Sequence, residues 1–139
     1  MANHILETRK AIVAALRANP AVTAIVPASR NYGEEAPANA VWPFTLCGLP
    51  TEIPSPASCW DASELSVTVH GFARGPGMDA ASALGDAVKR ALDGLHVVRG
   101  ELVLDFDFQQ VQIIRDTSET SDYHVLVRLR AYVAEARTT

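Results

Sequence analysis

No apolar run in this chain approaches the roughly 20 residues that span a bilayer, so no membrane partner is expected. The opening "MANHILETRKAIVAAL" carries charge through its apolar region, which a secretory signal does not. The chain is therefore expected in the cytosol, with Cys47 and Cys59 as thiols. Two cysteines with eleven residues between them match no zinc pattern, and neither a metal nor a cofactor is expected. Basic charge is also short: 12 Lys and Arg face 16 Asp and Glu, a formal charge of −4. That balance disfavours wrapping a phosphate backbone, leaving only a local basic patch open. What is present is ordinary globular material, 48% apolar and 20% charged, and 139 residues suit one domain spanning 1–139.

Residues 3–18 read as a helix ended by Asn19-Pro20, because proline moves the preceding residue out of helical geometry. At helical spacing Ile5, Leu6, Ile12, Val13 and Leu16 share a face with Arg9 in its middle, and Ala11, Ala14, Ala15 and Ala18 lie opposite. Arg9 either snorkels past the core edge or forms an ion pair or subunit contact. "AVTAIVP" reads as a further helical turn, and "ASRNYGEEAPANA" as irregular surface chain. Five of the eight prolines fall between Pro37 and Pro56. They leave one strand, 41–49, followed by a long proline-rich hairpin or loop over 50–63. Trp60 in that loop is either a packed indole or a partner anchor.

"ELSVTVHGF" alternates as a half-buried strand, Leu65, Val67 and Val69 inward, His70 toward solvent or a subunit. The next helix packs Ala81, Leu84, Val88, Ala91, Leu92 and Leu95 on one face. Asp79 caps it or complements its dipole, Asp86 and Arg90 pair on its surface, and Gly94 ends it. "ELVLDFDF" alternates with Asp105 and Asp107 outward; "QQVQII" then reverses phase, which demands a bulge or turn near Gln109–Gln110. After the polar "RDTSETSD", "YHVLVRLRAYVAE" is the longest strand, with Arg128 and Arg130 on its outward side. The fold class expected is α+β: an antiparallel sheet of about four to five strands with two helices on one face.

Tests for chemistry return little. "GFARGPG" lacks the lysine and hydroxyl of a phosphate loop, and Pro76 removes a backbone N–H, so it reads as a strand-to-helix connection. Asp105 and Asp107 could form an acid/base pair or half a metal site, but a polar strand face neutralised by Arg128 and Arg130 explains them without a third ligand. His4, His96 and His124 fall at helix start, helix end and strand surface, with no triad arrangement, and no catalytic residue is expected.

The landmarks "ILETRKAIVAALRANPAVTAIV", "RNYG", "VWPFTLCG", "LSVTVHGFA", "DAASALGDAVKRALDGL" and "DYHVLVRLRAYV" cover nearly the whole chain. In order and spacing they resemble the phage tail-completion family (tail terminator, or head–tail joining), also found in gene transfer agents. The "LPTEIPSPASCWDAS" hairpin departs from that pattern. The resemblance implies a structural virion protein at the neck of a phage-like particle, assembled in the host cytoplasm. It implies a homo-oligomeric ring, a hexamer, that uses sheet edges and helices. Its partners would be the major tail tube protein, the head–tail connector or stopper, and DNA passing through without sequence-specific binding. Ring contacts would fall to Arg9, Trp60, Arg128 and Arg130. Six copies at −4 carry about −24, and a channel faced by Asp105, Asp107, Asp116, Glu119 and Asp122 would repel DNA rather than hold it. The competing readings are a small cytosolic oligomer with a ligand cleft between sheet and helices, and an enzyme built on Asp105 and Asp107.

Overall fold

The structure is a computed structural model that describes residues 3–54, 62–115 and 122–135. Helix α1 (His4–Ala18) opens on Asn3, whose Oδ1 accepts from the Leu6 N–H. It stops at Asn19, which then caps the one-turn helix α2 (Pro20–Thr23) by accepting from Ala21 and Val22. Each such cap is worth about 1 kcal/mol. One asparagine thus sets the bend between two helices.

A short 3₁₀ turn (Ala28–Arg30) leads into β1 (Asn31–Tyr32), β2 (Phe44–Cys47) and β3 (Thr51–Pro54). Then come β4 (Ala62–Arg74), helix α3 (Asp79–Leu92), β5 (His96–Arg99), β6 (Leu102–Arg115) and β7 (Asp122–Glu135). All seven strands form one sheet in the order β1-β2-β4-β7-β6-β5, with β3 pairing on β4. Its backbone is the antiparallel trio β4, β7 and β6; β1 alone runs parallel, beside β2.

Alternation decides which face is buried. Leu65, Val67 and Val69 on β4, Val125, Val127 and Leu129 on β7, and Leu104 and Phe106 on β6 all turn toward the helices and are buried. The register slips between Phe108 and Gln110, where the sequence changes phase. That extra residue returns Val111 and Ile113 to the helix side, opposite Val127 and Val125. Without it both would face away from the core.

Helix α3 lies close to the sheet because Gly71 and Gly85 leave room. A Cβ on Gly71 would stand 2.9 Å from Leu84 Cδ2, and one on Gly85 would stand 3.0 Å from Val125 Cγ1. A buried polar knot ties the β1 corner. Asn31 Nδ2 donates to the Val26 and Pro27 carbonyls, and Thr45 Oγ1 donates to Asn31 Oδ1 at 2.7 Å. Both side chains are fully buried, so each bond left unmade would cost about 1–3 kcal/mol.

Several expectations need correction. Among the described residues the sheet has seven strands rather than four to five; the further helical turn expected after Pro20 is there, as α2, and makes a third helix beside the two expected. The 41–49 strand contracts to β2, and part of the expected 50–63 loop is strand β3; residues 55–61 lie outside the described residues. Helix α1 buries His4, Thr8, Ala11, Ile12 and Leu16, while Ile5 is 39% exposed. Its buried stripe is turned by about one residue, roughly 100°, from the apolar one, because the small Thr8 and Ala11 side meets the helix and sheet neighbours. Asp79 stands in the first turn of α3, but Met78 holds the cap position and makes no side-chain cap bond. Gly94 does take a left-handed conformation (φ 73°), and Arg90 Nε bonds Asp86 at 2.9 Å.

Candidate functional site

The three helices pack on one side of the sheet. On the other side, among the described residues, Trp42 leans over a corner and the remaining strand face is open. The candidate residues Asp105, Asp107, Asp122, Arg128 and Arg130 all stand on this open face, in the polar phase of β6 and β7.

At one end of the face, rings form a row across three strands. Phe44 stacks on Phe72 with centroids 4.6 Å apart, and Phe72 stacks on His124 at 4.5 Å. His70 Nδ1 and His124 Nε2 share a hydrogen bond of 2.8 Å, so one ring donates and the other accepts. His70 therefore sits on the open face, as its phase requires, yet half-buried. Burial lowers its pKa below 6.5 first, and the neighbouring His124 and Arg128 lower it further. Trp42 meets Phe44 and Phe72 edge-on, and the Arg74 guanidinium lies 4.2 Å above the Trp42 ring. Arg74 Nε also donates to Asp122 at 2.8 Å.

The middle and far end are polar. Arg130 pairs with Glu64 at 2.7 Å and stands opposite Asp107 in register. A hydrogen bond with Tyr132, then the Glu64 charge, raise its pKa further. Asp107 therefore faces Arg130 across the sheet, while the ion pair Arg130 makes is with Glu64. Asp105 instead bonds His96 at 2.6 Å, and both side chains are more than half exposed. Among the described residues Arg128 meets no acid: it donates to Gln110 and Gln112, correcting its expected role as a counter-charge. His96 opens β5 rather than ending a helix, and His4 is a buried residue bonded to Ser63 Oγ at 2.6 Å.

Away from this face, Arg9 pairs with Glu34 at 3.2 Å. It borders an open depression of about 550 Å³ that Lys10, Arg17 and Arg99 also line. Cys47 is buried, and that burial pushes its thiol up to about 12 against the opposing charge of Arg9. Trp60, Cys59, Asp116 and Glu119 lie outside the described residues. A cleft of about 350 Å³ between Trp42, Pro43, Ile25 and Ala80 has Arg74 as its one ionisable lining residue among those described. Among the described residues no three His, Cys, Asp or Glu side chains converge, and no helix is long and apolar enough to cross a membrane.

The sequence could place Asp107 and Arg130 on one face but could not find the ring row. Phe44, Phe72 and His124 come from three separate strands, and only their register brings them together. The available signal was that Phe72 and His124 both fall in the polar phase of otherwise apolar-inward strands.

What this arrangement offers is surface: charge pairs, stacked rings and open backbone. The fold is shared by a chain from the virion of a native gene transfer agent particle. The two superpose with a TM-score of 0.81 over 96% of this chain and 99% of that one, at 18% identity. No curated protein sequence matches the chain. The family model for tail completion protein gp17 matches residues 10–134, from the second turn of α1 to the end of β7. The chain belongs to the gp17 family of tail completion proteins.

Proposed function

We propose that the chain is a structural protein of a phage-like tail that acts as a ring, six copies around, at the head-proximal end of the tube. It ends the tube, joins it to the head connector and lets DNA pass through. The observation that carries this reading is the family match over residues 10–134. The fold shared with a gene transfer agent virion chain supports placement in such a particle. The open sheet face supports it as well, since a bare face of paired charges suits docking better than turnover.

In this reading the work is geometric. The major tail tube protein, the connector and copies of the chain itself are the partners, and no bond is made or broken. Asp105, Asp107 and Asp122 share one face and form the described part of the acidic channel wall; Asp116 and Glu119 belong to the segment beyond it. Arg74 pairs with Asp122 and the positive Arg130 stands opposite Asp107, so the wall is weakly rather than strongly acidic. Such a wall keeps DNA from sticking without a high barrier to its passage. Arg9, Trp60, Arg128 and Arg130 are the proposed subunit contacts.

Deleting the gene in a particle-producing host tests the proposal. Filled heads and separate tails in electron micrographs, rejoined on complementation, are the expected outcome. Intact, transfer-competent particles without the protein would refute it.

A further inference from the structure

Basic side chains are the scarcer kind in this chain, 12 against 16 acids, yet four of them stand around one depression. Arg9, Lys10 and Arg17 come from α1, and Arg99 reaches it from the end of β5. The floor between them is low because Val13, Ala14 and Gly33 offer short side chains or none. Ala14 is exposed here. The part of the alanine side of α1 that the core does not take up thus becomes the floor of a cation-rimmed hollow.

The acids nearby do not cancel this charge. Glu34 pairs with Arg9 at 3.2 Å, and Glu7 serves both Arg99 at 3.4 Å and Lys10 at 3.9 Å. Two carboxylates therefore stand against four cations. Arg17 has no acid beside it among the described residues. Its Nε donates to the Asn31 carbonyl at 3.0 Å, which leaves its two terminal nitrogens to meet a ligand. A guanidinium edge of that kind can take both oxygens of a carboxylate at once.

We propose that this depression is a docking site for an extended acidic segment of a partner protein. Arg9 and Arg17 stand eight positions apart on α1, about 12 Å along its axis, the reach of roughly three to four extended residues. Arg99 also lines a second depression, of about 650 Å³, in which Val98 is 64% exposed and offers an apolar contact. A lone anion would use one corner of such a surface, whereas a run of carboxylates on an extended backbone reaches all four cations. Duplex DNA fits less well. It is a rigid rod charged along its whole length, and the rest of this acidic chain repels it. The depression of about 550 Å³ has the size of a site for a short peptide segment. It lies on the helix side of the sheet, and the inference does not need the ring reading.

Fluorescently labelled hexaglutamate, titrated with the full chain at low salt, is the test. Binding should saturate although both molecules are acidic, and should fade as added salt screens it. Lys10→Gln together with Arg17→Gln removes two exposed charges and should weaken binding on the order of tenfold or more. Glu34→Gln releases Arg9 and should tighten it. Arg90→Gln makes the same kind of charge loss on the exposed side of α3 and should leave it unchanged. If the double variant does not fold, Glu34→Gln and Arg90→Gln decide. Absence of saturable binding overturns the site. So does equal weakening by Arg90→Gln, or a duplex DNA oligomer that binds more tightly than hexaglutamate. Each of these results leaves the ring reading standing, since that reading fails only at the level of the particle.

Discussion

Gly71→Ala is a substitution whose sign can be worked out from the packing of α3. Relieving a glycine inside a strand favours folding by about 0.5–1 kcal/mol through the unfolded chain. Against that, the new methyl would lie 2.9 Å from Leu84 Cδ2 and 3.3 Å from its Cγ. Leu84 is fully buried, so it has no solvent side into which to swing. Overpacking of this kind costs about 1–3 kcal/mol, which leaves a net loss of roughly 1–2 kcal/mol. Leu84→Ala alone should cost about 2–5 kcal/mol by opening a cavity beneath the helix. The informative experiment is the double-mutant cycle in urea. In the Leu84→Ala background the Gly71 methyl enters empty space, so Gly71→Ala should become neutral or stabilising, with a coupling of at least about 1 kcal/mol. Equal losses in both backgrounds would show that α3 does not seat Leu84 over Gly71, and the account of helix–sheet packing would fail.

Three further outcomes are expected. His70 has a folded pKa below its ordinary 6.5, so the stability it contributes is full above pH 6.5 and is lost as pH falls from there through the lowered value. His70→Gln should flatten that part of a pH–stability curve, and an unchanged slope would count against the half-buried histidine pair. Asn31→Ala strands the Thr45 hydroxyl and two carbonyls, and should lower stability by about 2 kcal/mol or more in chemical denaturation. Cys47, buried and with its thiol pushed up to about 12, should resist a thiol reagent at pH 8 in the native chain and react on unfolding.

The sequence reveals the long elements because each repeats its pattern many times. The alternations on β4 and β7 span a dozen residues each, and the phase reversal at Gln109–Gln110 announced the β6 bulge. Strands β1, β3 and β5 have two to four residues apiece, too few for any period to show. They exist because β2, β4 and β6 offer them backbone partners. The face of α1 was misjudged because apolarity ranks Ile5 above Thr8, whereas close packing favoured the small side chains. At the open face, Asp107 and Arg130 were legible from phase alone. The Arg128–glutamine contacts and the Phe44–Phe72–His124 row were not, since they depend on which strands lie side by side.

A cryo-electron-microscopy map of the particle neck addresses the central claim most directly. The account predicts a closed ring of this chain on the head-proximal end of the tube. A neck map in which the chain is missing, or stands as isolated copies without contact between sheets, would contradict it.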